Sequence, residues 1–307
     1  MDQRRLTRDG RTVSVIGLGT WPMGGGMGVM DDDTAAAITR SAIDRGINLI
    51  DTAQAYLESE RRLGRALKDG YREKCFLATK VIGDYSPNAI NAAMDNSLRQ
   101  LDVDHVDLYQ IHHPDPTYPF DEMMQAVVRL QEQGKARYIG VSNFKVDHME
   151  TALRHGPIDT HQPRYSMFDR RVENDVLPFC LDHGIGVLVH SPLAKGLLTG
   201  RYRAGHVFAD DDERATLPRF GGESFAHYVE VADRLKKIAA AIGISLIQLA
   251  VAWVLRRAEV SCVLVGAKSP GQLDEPIAAA NVRLDSDTIG QIDEALRDTP
   301  GELYDVR

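Results

Sequence analysis

The chain has 307 residues, 43% of them hydrophobic and 26% charged, with a formal net charge of −8. That apolar share supports a sizeable core, and the length suits two average domains or one α/β barrel of about 250 residues with additions. The negative balance argues against nucleic acid as a general partner, since phosphate binding needs clustered cations. Any anionic ligand must therefore be held by a local site.

Cys75, Cys180 and Cys262 lie far apart and form no CxxC pair. They read as reduced, buried thiols, and the expected compartment is the cytoplasm. The opening MDQRRLTRDGRTVSV has no apolar h-region, and no apolar run approaches about 18 residues. Neither a signal peptide nor a membrane span is expected.

In chain order, the first predicted element is a hairpin turning at Asp9-Gly10, placed to plug the floor of a barrel. Eight β-branched apolar runs follow, at 13–17, 47–51, 75–81, 106–112, 137–142, 160–165, 186–190 and 260–266. Segments with apolar residues spaced for helices separate them, at 34–45, 88–101, 120–133 and 147–154. Glycine follows several of these, as at Arg45-Gly46 and Gln133-Gly134, and marks helix ends. The stretch 199–224, rich in Gly, Asp and Arg, reads as a long irregular loop with a mobile acidic part at 210–213. Helices at 225–242 and 245–257 precede the last strand, and one at 285–298 follows it.

Eight alternating βα units without a composition break predict one (β/α)₈ TIM barrel over residues 1–307, with an N-terminal β-hairpin plug and extra C-terminal helices. In such barrels the strand ends carry the active site. Asp51, Lys80, His112, Ser142, Asn143, Gln162, His190, Ser191, Gly266 and Lys268 all fall late in these runs or just past them, and Tyr56 follows in the second βα loop. A tyrosine hydroxyl has a pKa of about 10, too high for easy proton donation at neutral pH. An ammonium such as Lys80 lowers it, a carboxylate such as Asp51 holds the ammonium, and His112 is placed to bond a carbonyl. No two histidines show a metal-binding spacing, and GLGTWPMGG breaks the GxGxxG pattern at Thr20-Trp21-Pro22.

The segments GLGTWPMGG (17–25), NLIDTAQAY (48–56), LATKV (77–81), VDLYQIHHPDP (106–116), IGVSNF (139–144), HSPLAKGLLTG (190–200) and VGAKSPGQLDE (265–275) resemble the aldo-keto reductase superfamily. The resemblance implies a TIM barrel that binds an extended nicotinamide cofactor and reduces an aldehyde or ketone. It implies Tyr56 as general acid/base, tuned by Lys80 and Asp51, with His112 orienting the carbonyl. Thr20, Ser142, Asn143, Gln162, His190, Ser191, Leu193 and Gly196 fall to the nicotinamide and pyrophosphate side. Gly266, Lys268, Ser269, Gln272 and Glu275 fall to the adenosine side. Trp21, Tyr85, His113 and Tyr118 would line the substrate pocket.

Three positions depart from the family pattern. His113 stands where many members carry Trp or Arg, His190 where an aromatic stacks on the nicotinamide, and Pro276 where an asparagine often meets the adenine. Lys268 favours NADP(H), with NAD(H) as the second cofactor. The few residues after Asp298 imply a wide, open pocket suited to sugars or cyclic ketones. The expected partner is thus a small carbonyl, sugar or polyol; the sequence says nothing of oligomeric state. Two other readings fit the same barrel: a nicotinamide-binding regulatory subunit like the potassium-channel β-subunits, and a metal-dependent sugar isomerase or aldolase.

Overall fold

The apolar runs become strands whose side chains alternate between the barrel interior and the surrounding helices. The computed structural model describes residues 1–300. Strands β1 (Gln3–Arg5) and β2 (Thr12–Ser14) form an antiparallel hairpin. Strands β3 (Ile16–Gly19), β4 (Leu49–Asp51), β5 (Phe76–Val81), β6 (Val106–Ile111), β7 (Ala136–Ser142), β8 (Thr160–Gln162), β9 (Gly186–Val189) and β10 (Val260–Val265) follow. These last eight close a barrel, each strand parallel to its neighbours, with β10 pairing back onto β3. The expected (β/α)₈ barrel and its hairpin are both present.

Helices cover the outside at the expected places, including Asp32–Asp44, Pro87–Leu101, Phe120–Glu132, Val146–Leu153, Gly222–Ala241, Leu246–Leu255 and Ser286–Ala295. Asp31 caps the first of them by accepting a hydrogen bond from Thr34 N at 2.7 Å. Helix Val176–Asp182 ends at the His183-Gly184 signal, whereas Ser59–Ala66 and Asp274–Ala279 were not anticipated. No single described helix is long and apolar enough to cross a membrane.

The run expected as one strand at 13–17 is split. Ser14 N donates to Asn48 Oδ1 at 2.7 Å and Ser14 Oγ donates to Ile16 O at 2.7 Å. The chain turns at this point, so Val13 stays with the hairpin and Ile16 enters the barrel. Leu6 and Val13 then pack against Leu49, Phe76, Leu108 and Leu188 inside the barrel, all buried. The hairpin is therefore the floor of the barrel. Arg4 anchors it through hydrogen bonds to Val260 O, Arg257 O and Leu255 O at 2.6, 2.9 and 2.8 Å.

The long loop at 199–224 is irregular as expected, broken by short 3-10 turns at Glu213–Thr216 and Pro218–Phe220, and part of it is packed. Arg214 binds both oxygens of Asp212, the Tyr202 hydroxyl and Lys195 O, and its guanidinium stacks 4.7 Å above Phe208. Phe208 also meets Phe220 at 5.2 Å between centroids. Aromatic side chains scattered without a period give this segment its own small core.

The floor also explains Gly186 at the start of β9, where a Cβ would lie 1.9 Å from Leu6 O. Gly186→Ala must displace the hairpin backbone, an overpacking cost of about 1–3 kcal/mol. Urea unfolding at fixed pH should show that loss, and an unchanged midpoint would refute the tight floor.

Candidate active site

Strand alternation puts a second layer of inward side chains above the apolar floor. Leu49 is followed by Asp51, Ala78 by Lys80, and Leu108 by Gln110, so this layer is polar. Lys80 is wholly buried and Asp51 nearly so. The Lys80 ammonium donates to Asp51 Oδ2 at 2.5 Å, Thr52 O at 2.8 Å and the Tyr56 hydroxyl at 3.3 Å. All three of its hydrogens are thereby committed. Burial by itself would discharge this lysine, but Asp51 reverses the effect and its pKa is raised.

Tyr56 comes from the turn after β4, where its N–H donates to Ala53 O at 2.9 Å. The next residue, Leu57, has φ 46. Gly24 abuts this turn: a Cβ there would lie 2.3 Å from Tyr56 O. Only glycine lets the first βα loop come so close. Burial pushes the Tyr56 hydroxyl up, and Lys80 opposes that shift without cancelling it. The expectation of a lowered tyrosine is corrected here, because desolvation of the phenolate outweighs the ammonium. Tyr56 oxygen accepts from Lys80, so its own hydrogen is left free to point elsewhere.

Trp21 and His112 flank the Tyr56 ring edge-on, with centroids 5.1 and 5.7 Å away. His113 stacks on His112 at 4.8 Å. Burial, then Lys80 and His113, push His112 down to about 2, so the imidazole is neutral. Its Nδ1 is buried without a partner. A bare lone pair is the cheaper group to leave there, which puts the proton on Nε2 as a donor. Behind this pair Tyr85 is buried, with His113 N 3.3 Å from its hydroxyl and Tyr118 edge-on at 5.7 Å.

The ends of β7, β8 and β9 bring Ser142, Asn143, Gln162 and His190 together. Ser142 Oγ donates to Gln162 O at 2.9 Å, and Asn143 Nδ2 donates to His112 O at 3.0 Å. Asn143 has φ 60, a conformation asparagine tolerates. His190 lies 3.0 Å from Asn143 Oδ1 and 3.0 Å from Ser191 Oγ. Burial, followed by the fields of Arg164 and Lys80, holds it well below the usual histidine range.

After β9, Ser191, Ala194 and Lys195 all adopt positive φ, at 57, 49 and 54, and Gly196 follows at 103. Leu193 lies within this tight segment. So many non-glycine residues in the left-handed region mark a backbone shaped for more than chain reversal. Thr20 is buried, its hydroxyl donating to Asp51 O at 2.9 Å and receiving Ser59 Oγ at 2.7 Å.

On the β10 side, Gly266, Lys268 and Ser269 are exposed at the mouth. Gly266 lies beneath Pro22: a Cβ there would sit 2.8 Å from Pro22 Cγ. Lys268 N donates to Gln272 Oε1 at 2.9 Å, while its ammonium reaches Met27 O. Glu275 is half-buried on the helix Asp274–Ala279, and Pro276 beside it is buried.

Several participants were not read from the sequence. Gln110, wholly buried, donates to Asp51 Oδ1 at 3.3 Å. A polar residue two positions before His112 in an apolar strand was the available signal. Glu213 accepts from Trp21 Nε1 at 3.0 Å and pairs with Lys195 at 2.8 Å, so the loop after β9 reaches the first βα loop. No local pattern announces a contact across 192 residues. Among the described residues no group of three His, Cys, Asp or Glu gathers as a metal site.

The family model of the aldo/keto reductases matches residues 15–297. The chain belongs to the aldo/keto reductase family. It is 38% identical to aldo-keto reductase YhdN of Bacillus subtilis over 97% of this chain and 95% of that one. It is 34% identical to the NADH-specific methylglyoxal reductase of Escherichia coli, covering 93% and 96%. The solved glycerol dehydrogenase AKR11B4 from Gluconobacter oxydans superposes with a TM-score of 0.89 at 34% identity, covering 100% of this chain and 98% of that one. Two of these relatives are thus named for small molecules, methylglyoxal and glycerol, while a probable voltage-gated potassium channel subunit beta of Oryza sativa subsp. japonica is 32% identical over 100% of both chains.

Beside the site, His161 on β8 is wholly buried, and burial pushes it down to about 3 against the opposing Phe144 backbone. Its neutral form stabilises the fold above the ordinary histidine value of about 6.5, and that contribution is lost as pH falls toward 3. Unfolding free energy should therefore decline below pH 6.5, and His161→Gln should remove about one proton from the slope. Denaturant titrations from pH 7 to 4 measure it; equal slopes in both proteins would contradict the assignment.

Proposed function

We propose that this aldo/keto reductase reduces an aldehyde or ketone to an alcohol, or runs the reverse reaction, with Tyr56 exchanging the proton and NADP(H) as the preferred cofactor. The observation that carries the reading is the three-way commitment of the Lys80 ammonium to Asp51, Thr52 O and the Tyr56 hydroxyl. With its oxygen already accepting from Lys80, Tyr56 directs its proton toward a ligand. The same ammonium stabilises the phenolate left after transfer. His112 Nε2–H, fixed in the neutral form, donates to the carbonyl oxygen and orients it. In the reverse direction Tyr56 acts as the base.

The polar set on β7 and β8 fits a nicotinamide. Gln162 Nε2 is committed to Asp51 Oδ1 and Gln110 Oε1, at 2.8 and 3.3 Å, which leaves its carbonyl oxygen as an acceptor. Ser142, Asn143 and Gln162 would hold the carboxamide, and His190 would stack on the ring. The left-handed segment with Ser191, Leu193 and Gly196 would follow the pyrophosphate. Lys268, with Gly266, Ser269, Gln272 and Glu275 around it, would meet the adenosine end. When bound, the reduced nicotinamide supplies the hydride. Thr20 supports this arrangement from behind, through Asp51 O.

Trp21 and His113 give the pocket one aromatic and one polar wall beside Tyr56 and His112, which suits an oxygen-rich carbonyl of sugar or polyol type. Two relatives, named for methylglyoxal and for glycerol, point the same way. One relative is NADH-specific, so NAD(H) stands as the alternative cofactor, and Lys268 is the residue that decides. Fluorescence titration with NADPH and NADH should show Lys268→Ala weakening NADPH by about tenfold, about the loss of one charged contact, with NADH unchanged. Equal weakening of both would remove Lys268 from the 2′-phosphate.

Tyr56→Phe should lower kcat by about 10²- to 10⁴-fold with nucleotide affinity kept. Full activity in that variant would sink the mechanism. Nucleotide binding by the wild type without turnover of any aldehyde, keto-sugar or polyol would favour a regulatory subunit.

A further inference from the structure

We propose that Gln110 is a positioning residue that locks the amide of Gln162 and thereby sets which hydrogen-bonding face the site offers a nicotinamide. This rests on the cofactor reading above. Gln110 and Gln162 are both buried, at 0% and 1% exposure. Two positions before Gln110 on β6 the inward side chain is Leu108, so an apolar side chain at 110 would fill this space without desolvating an amide. Buried amides are costly unless every polar atom is used.

Here the network has only one orientation. Asp51 is a carboxylate and can only accept. Gln162 Nε2 lies 2.8 Å from Asp51 Oδ1, so the nitrogen of Gln162 must face it. Gln110 Nε2 donates to that same oxygen at 3.3 Å, which turns Gln110 Oε1 toward Gln162 Nε2, also at 3.3 Å. Both hydrogens of the Gln162 amide are therefore spent. Only Gln162 Oε1 remains, and it is an acceptor. The site thus selects a ring substituent with an N–H to donate, as a carboxamide has, over one that can only accept.

The same bridge reaches the chemistry. Asp51 holds Lys80 with Oδ2 while the two amides hold Oδ1. Both oxygens are tied, so the carboxylate plane is fixed beneath Tyr56. Removing the Gln110 donor leaves Asp51 less neutralised, and its charge raises the proton affinity of Tyr56. The alcohol-forming reaction needs the protonated tyrosine, so its alkaline limb should move to higher pH.

The test compares NADPH with its 3-acetylpyridine analogue, whose acetyl group keeps the carbonyl but has no N–H. Fluorescence quenching or calorimetry on the full-length protein gives both dissociation constants without turnover. The wild type should bind NADPH about tenfold more tightly than the analogue, roughly the value of one buried hydrogen bond. Gln110→Met, close in volume and without an amide, removes one of the two holds on the Gln162 amide and leaves an N–H unpaired while Asp51 keeps the other, so the amide pivots about a single bond and the ratio should narrow to about threefold or less. The pH limb of kcat should shift upward in the same variant.

Gln110→Asn, too short to hold Gln162, should narrow the ratio in the same way and serves if the methionine variant does not fold. An unchanged ratio in a folded variant would overturn the proposal while leaving the cofactor reading intact. Failure of the wild type to bind either dinucleotide would instead overturn the cofactor reading itself.

Discussion

The ion pair between Asp51 and Lys80, sealed inside the barrel, is the constraint to which the rest of the site is fitted. Two charges removed from water cost several kcal/mol each, and their attraction repays that only with good geometry and full hydrogen bonding. The fold supplies both. Lys80 has three acceptors, one of them a backbone carbonyl, and Asp51 has donors on both oxygens. Removing either partner would leave an unpaired buried charge, a loss of about 3–5 kcal/mol. Stability and proton chemistry therefore rest on the same atoms, and the Tyr56 hydroxyl accepts from Lys80 while keeping its own hydrogen.

The barrel can tolerate this polar layer because the layer beneath it is largely apolar. Leu6 and Val13 of the hairpin close the floor on Leu49, Phe76, Leu108 and Leu188. Gly186 allows the hairpin backbone to seat against β9. At the mouth, the loop carrying Glu213 meets Trp21 and Lys195. The apolar side chains thus close the barrel from below, while the polar ones gather at the C-terminal strand ends. That polarity along one axis follows from period-two alternation repeated on strands in register.

Much of this was legible in the chain itself. An apolar run ending in Asp51, Lys80 or His112 reads as a strand with its chemistry at the tip, and all three converge around Tyr56. The turn at Asp9-Gly10 was equally plain. What failed was whatever depended on distant residues. The run at 13–17 looked continuous because nothing local shows that Asn48 takes Ser14 N–H. The segment 199–224 looked loose because its aromatic core has no period. The direction of the Tyr56 shift was misread because the sequence names the nearby cation but not the depth of burial.

The sequence by itself determined the barrel, the family and the identities of the residues at the strand ends, since alternation and turn chemistry are local and survive in one dimension. The tertiary structure decided how those residues are wired. It chose Gln110 as a partner of Asp51, made His112 neutral by burying it beside Lys80, and turned Lys268 toward Met27 O. Hydrogen-bond direction and desolvation depend on neighbours brought together from many separate strands and loops, and those neighbours exist only once the barrel has closed.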